Sequence, residues 1–197
     1  MIAIIDYGAG NIFSVKNALD YLGVENKLTA DKNEICAADE IILPGVGAFP
    51  WAMKMLRDSG LVDTIREEAR KKPFLGICLG MQLIFDKGYE FEETDGLRLI
   101  GGKVEKIDRK DMIIPHMGWN ELEINRDCPI LKGLPEHPYV YFVHSYAAVC
   151  DEANVSVYCD YGGKITALVH DGAYVYGAQF HPEKSGEVGL QMLRNFA

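Results

Sequence analysis

No apolar stretch in this 197-residue chain approaches the roughly eighteen residues that a membrane span needs. The opening run Ile2-Ala3-Ile4-Ile5 is too short for a secretory h-region and has no basic segment before it, so a cytoplasmic location is expected. No cluster of lysine and arginine stands out, and the net charge of -9 disfavours nucleic acid and anionic membranes as partners. Disulfide and zinc frameworks are equally unsupported. The five cysteines (Cys36, Cys78, Cys128, Cys150 and Cys159) are odd in number, scattered, and form no CxxC pair. Repeats, low-complexity tracts and linkers are missing as well. With 48% hydrophobic and 25% charged residues, the chain has the composition of a single globular domain spanning 1–197.

The first half alternates strand-like and helix-like segments. Ile2 to Asp6 reads as a buried strand, with Gly8-Ala9-Gly10 as the turn after it and Val15, Ala18, Leu19 and Leu22 at helical spacing. Val24 to Leu28 and Glu40 to Leu43 read as further strands, the latter stopped by Pro44. Trp51, Met55 and Leu56 mark one helix, and Leu61, Ile65 and Ala69 another. Phe74 to Ile77 is a fourth strand, and Met81 to Phe85 begins the next helix. From Gly101 to Cys159 the runs shorten to Gly102–Ile107, Glu121–Ile124 and Tyr139–Ser145, punctuated by prolines. Tyr174 to Phe180 and Gly186 to Phe196 close the chain as strand and helix. The expected fold is α/β: a mostly parallel sheet with helices on both faces and an added antiparallel segment.

Gly76-Ile77-Cys78-Leu79-Gly80 sits between an apolar strand and an apolar helix, the pattern of a nucleophile elbow. Flanking glycines admit a cramped turn that lifts Sγ off the sheet, and the N–H groups of the following helix favour thiolate. A buried, inert cysteine is the plainer reading of Cys78 taken alone. The segment Gln179-Phe180-His181-Pro182-Glu183 supplies what a nucleophile needs: His181 as base just past a strand, and Glu183 to orient the imidazole. Taken alone it reads as a surface turn. His116 (in a proline-rich loop), His137, His144 and His170 are weaker candidates for the base. Pro44-Gly45-Val46-Gly47 offers unobstructed N–H groups to an oxyanion at Val46 and Gly47, and Leu79 offers another.

GICLGMQ, QFHPEKS and PGVG together resemble the class I (triad) glutamine amidotransferases over nearly the whole chain. The resemblance implies Cys78, His181 and Glu183 as a catalytic triad, and Gly45, Gly47, Gln82, Ser145 and Tyr146 as residues that hold glutamine. The segments DYGAGN at the start, PHMGWN mid-chain and YFVHSY are similar to those of the glutaminase subunits of imidazole glycerol phosphate synthases, in histidine biosynthesis. That similarity implies a heterodimer with a (β/α)8-barrel cyclase subunit, which receives the ammonia. It also implies a docking face including Asn11, His116, Trp119, Tyr141 and Lys184, with Trp119 as its anchor. Control by the partner's ligand is implied too, and the two glycines around Val46 make the PGVG strand a plausible switch. No metal or organic cofactor is implied, because thiol chemistry is complete without one. Rival readings are a dinucleotide site at Gly8-Ala9-Gly10, which lacks its third glycine, a catalytically dead interaction module, and γ-glutamyl hydrolases or other amidotransferase subunits with related elbows.

Overall fold

The computed structural model describes all residues 1–197. Eight strands form the main sheet, in the order β2-β1-β3-β4-β14-β13-β12-β9. Its parallel half comprises β1 (Ile2–Ile5), β2 (Asn26–Thr29), β3 (Glu40–Gly45), β4 (Phe74–Cys78) and β14 (Val175–Ala178). The antiparallel extension is β13 (Lys164–His170), β12 (Val155–Asp160) and β9 (Glu123–Ile124). β5 (Lys87–Gly88), β6 (Thr94–Asp95), β7 (Gly102–Lys106) and β11 (Tyr146–Cys150) make a separate small sheet. β8 (His116–Glu121) and β10 (Tyr139–His144) form an antiparallel ribbon.

Successive residues of the parallel strands feed opposite cores, as a sheet covered on both faces requires. On β3, Ile42 joins one cluster while Ile41 and Leu43 join the other. The first cluster is capped by α1 (Ile12–Tyr21) through Val15 and Leu19, and by α6 (Gly186–Phe196) through Met192, Leu193 and Phe196. The second packs under α2 (Lys32–Ala37), α3 (Phe49–Asp58), α4 (Val62–Glu68) and α5 (Leu79–Leu83). No helix is long and apolar enough to cross a membrane.

Several local expectations change. β3 runs through Pro44 to Gly45 instead of stopping before it. The β1 ladder ends at Ile42, so the missing proline N–H removes no bond on that side, while β4 continues the pairing to Gly45 and Cys78. Helix α2 was not expected; Asp31 caps it by accepting from the N–H groups of Asn33 and Glu34. His116 opens a strand instead of lying in a loop. The runs around Gly102 and Tyr139 join the smaller sheets, and only Glu123–Ile124 reaches the main one. β11, β12 and β13 lie where no strand was anticipated: β11 pairs with the distant β7, while β12 and β13 form a hairpin closed between Asp160 and Lys164. Trp51, read as a helix marker, points outward at 67% exposure, and α3 buries Phe49, Ala52, Met53 and Leu56 instead.

The elbow depends on close backbone contact. A Cβ on Gly80 would stand 1.8 Å from the Leu43 carbonyl oxygen, and one on Gly76 2.6 Å from the Gly80 oxygen. Gly80→Ala is therefore expected to lose about 3 kcal/mol or more by forcing β3 and the elbow apart. Gly101→Ala, where the nearest atom is 3.8 Å away, should be nearly neutral. Urea denaturation of both variants checks the contrast.

Candidate active site

The C-terminal ends of β3, β4 and β14 lie abreast, where open α/β sheets place their chemistry. Gly45 pairs with Cys78, and Ala178 pairs with Ile77, so Gln179 arrives beside the cysteine. Cys78 adopts φ 54° and ψ -111°, a strained conformation for a residue with a side chain, and is 7% exposed. Helix α5 is only five residues long, shorter than expected, so its N–H groups provide a modest positive field and the neighbouring side chains matter more.

The main neighbour is His181, whose N–H binds the Tyr141 carbonyl at 3.1 Å and thereby joins the end of β14 to the ribbon. Its Nδ1 donates to Glu183 Oε1 at 2.8 Å, leaving Nε2 for Cys78. The His181 and Glu183 side chains are almost fully buried, and Glu183 Oε2 has no partner. Burial pulls the imidazole down, but the hydrogen bonds and charges of Cys78 and Glu183 outweigh it and raise it to about 9. The raised imidazole is therefore a cation at neutral pH, held between the Cys78 sulfur and the Glu183 carboxylate.

Around this pair lies a cleft of about 310 Å³, lined by Val46, Gly47, Leu79, Gln82, Ser145 and Tyr146 among others. Eight of the residues anticipated from sequence converge there. Gly45 does not line it; packed against Leu79 and Gly80, it supports the floor. A larger concavity of about 1390 Å³ lies elsewhere, lined by charged residues such as Lys54, Arg57 and Asp63, with neither cysteine nor histidine among its lining residues. The cleft also contains Glu90, Pro115 and Val143, which sequence pattern did not single out for the site, and His144, a weaker candidate for the base. Glu90 is held by the Phe49 N–H, donated to its Oε2 at 2.7 Å. An isolated glutamate in a region of short strands carries no local signal. His144 donates from Nδ1 to the Tyr146 carbonyl at 2.8 Å, and burial first, with His116 and His181 adding repulsion, lowers it to about 4. It is neutral and structural, and His181 is the only histidine placed as a base.

A cysteine on a strained turn, a carboxylate-oriented imidazolium and a glycine-rich strand end in one cleft suit acyl transfer. Residues 3–197 match the family model for glutamine amidotransferase class-I. The chain belongs to the class I glutamine amidotransferases. Among curated members of that family, the imidazole glycerol phosphate synthase subunit HisH of Bacillus cereus (strain G9842) is 51% identical over 197 residues, covering 100% of this chain and 93% of the relative. The subunit HisH of Bacillus thuringiensis (strain Al Hakam) is 50% identical with the same coverage. The amidotransferase fold is shared with a crystal structure of a glutamine amidotransferase (TM-score 0.76, 22% identity, 100% and 99% coverage). It is shared also with PurLQS from Thermotoga maritima (TM-score 0.75, 20% identity, 99% and 96% coverage).

The residues read as an amidotransferase docking face separate in the structure. Trp119 and Tyr141 are cross-strand partners on the ribbon, their ring centroids 6.2 Å apart, and Trp119 is 54% exposed. Lys184 is exposed on the turn after His181, against which α1 packs, and Asn11 at the start of α1 is half-buried, accepting from Ser14. His116 is the exception. It is fully buried, stacked on Tyr161 at 3.9 Å and on Phe142 at 4.7 Å, so its side chain lies beneath the face instead of on it.

The two shifted histidines give opposite pH windows. His181, raised to about 9, stabilises the fold fully below about pH 6.5, and that contribution is lost as pH rises through about 9. His144, lowered to about 4, contributes above about pH 6.5 and loses its contribution as pH falls through about 4. Histidine NMR titration should find the alkaline-shifted imidazole in the native chain, and Cys78→Ser should move it downward. An unmoved titration in the variant would mean that sulfur and imidazole are not coupled.

Proposed function

We propose that this chain is the glutaminase subunit of an imidazole glycerol phosphate synthase, working in the cytoplasm, where thiols stay reduced. The observation that carries the chemistry is the buried Cys78–His181–Glu183 array at the mouth of the sheet. In this reading Cys78 thiolate attacks the side-chain amide of glutamine, and N–H groups of Val46, Gly47 and Leu79 stabilise the oxyanion. His181 protonates the departing ammonia, leaving a γ-glutamyl thioester, then activates the water that releases glutamate. Gln82, Ser145 and Tyr146 position the substrate. Glu90, a carboxylate in the same cleft, is suited to the α-ammonium group of a free amino acid.

The partner is a cyclase subunit in a heterodimer. Ammonia released into water becomes ammonium, which is no nucleophile, so the glutaminase must deliver it within an assembly. The cyclase would combine it with a phosphoribulosyl formimino nucleotide, making imidazole glycerol phosphate and an aminoimidazole carboxamide ribotide. Supporting this reading are the identity of about half the residues with HisH subunits and an apolar ribbon face left in solvent. Along β8 and β10 the outward side chains are Met117, Trp119, Tyr139, Tyr141 and Val143, while His116, Val140, Phe142 and His144 point inward. Exposed aromatics clustered in this way mark protein interfaces.

Glutamate release by the chain alone and with a cyclase subunit plus its nucleotide ligand is the deciding measurement. Strong activation that disappears in Cys78→Ser, with glutamine binding retained, is expected. High activity indifferent to the cyclase would point to a free-standing hydrolase or another synthase. Trp119→Ala should weaken subunit association by about 2 kcal/mol, roughly thirtyfold in Kd, while the chain stays folded; unchanged association and coupling would remove Trp119 as anchor. Glu90→Gln should raise KM for glutamine about tenfold or more, with kcat largely kept.

A further inference from the structure

Cys78 is buried, and a buried thiolate is costly unless its charge meets donors on more than one side. His181 covers one side. On another stands Gln179, fully buried at the end of β14, with Nε2 3.9 Å from Sγ. Which end of an amide faces a neighbour is ordinarily ambiguous, but here a chain of contacts decides it. The Tyr146 carbonyl can only accept, and it takes the His144 Nδ1 proton at 2.8 Å and a Gln82 Nε2 proton at 3.1 Å. Gln82 must therefore present its NH2 group, and the second N–H of that group goes to Gln179 Oε1 at 3.0 Å. With its oxygen so occupied, Gln179 has only its own NH2 group to turn toward the sulfur. The order is imposed from a backbone carbonyl on β11, through two side chains, onto the nucleophile.

We infer that Gln179 is a donor to the Cys78 thiolate, oriented by Gln82, and that this amide pair is part of what activates the nucleophile. The inference rests on Cys78 being the nucleophile of the proposed reaction. When the Sγ proton passes to His181 Nε2, the electron pair left on sulfur gains the Gln179 N–H. When the thioester carbon–sulfur bond breaks, the pair returning to sulfur meets the same donor. A neutral thiol or thioester sulfur is a weak acceptor, so the contact favours the anion over both. Gln82 commits both its amide protons to this arrangement.

The test is the pH dependence of Cys78 alkylation by iodoacetamide in the full chain, with the labelled peptide identified by mass spectrometry because Cys36 is exposed and competes for label. Thiolate reacts and thiol does not, so the midpoint reports the anion directly. Gln179→Met keeps an unbranched side chain and removes the donor; at pH 7 its alkylation rate should fall about tenfold, with the midpoint moving to higher pH. Gln179→Glu, the isosteric variant, should move it further by placing a carboxylate against the sulfur. Gln82→Met, which frees the Gln179 amide to turn, should move it in the same direction by less. Circular dichroism selects folded variants, and the near-isosteric glutamate decides if the methionine variant does not fold. An unaltered midpoint in a folded Gln179 variant overturns the inference. An ordinary thiol midpoint in the parent chain would instead overturn the reading of Cys78 as an activated nucleophile, so the two failures are distinct.

Discussion

Everything at the site depends on how closely the turn after β4 approaches the end of β3. Gly80 lies against the Leu43 carbonyl with no room for a side chain, and Gly76 lies against Gly80. That contact holds Cys78 at φ 54° and ψ -111°, a conformation costing about 1–3 kcal/mol for a residue with a side chain. The cost is met by two cores packed on opposite faces of the same strands. Because the strand ends are level, the same contact aligns the PGVG segment, the thiol, and the chain that leaves β14 toward His181.

Electrostatics then follows from burial. An imidazole as enclosed as His181 would ordinarily lose its proton, and the reversal here comes from Cys78 and Glu183 acting together. His144, equally enclosed but facing a carbonyl and two other imidazoles, goes the other way. Two histidines of one cleft thus become one cation and one neutral donor without any difference in residue type. The neutral one is itself needed, since its donated proton helps fix the Tyr146 carbonyl from which the Gln82–Gln179 amides take their direction.

Strands β1, β3, β4 and β14 were legible as short, largely apolar runs, whereas β2 (Asn26–Thr29) carries only Leu28 as an apolar residue and begins two residues later than the run that marked it. Helices α1, α3 and α4 were legible because their apolar residues recur at helical spacing. The antiparallel half was much less so. In β8 and β10 the outward residues are themselves large and apolar, which blurs the alternation that marks a half-buried strand. In β9 only two residues pair. His116 illustrates the limit: its neighbours in sequence place it in a motif, yet the rings of Tyr161 and Phe142, distant along the chain, enclose it.

The sequence by itself singled out Cys78, His181 and Glu183 as the candidate triad, because a glycine-flanked cysteine at a strand end and a His-Pro-Glu turn are local patterns with local steric reasons. It also determined the outline of an α/β sheet and the family. Tertiary structure decided what depends on distant residues meeting: the placing of Glu90 in the cleft, the burial of His116, and the opposed protonation of His144 and His181. It also decided the direction of the Gln179 amide, which rests on a contact with Gln82, 97 positions away in the chain. Charge and hydrogen-bond direction are properties of an environment, and a linear pattern carries only the groups that enter it.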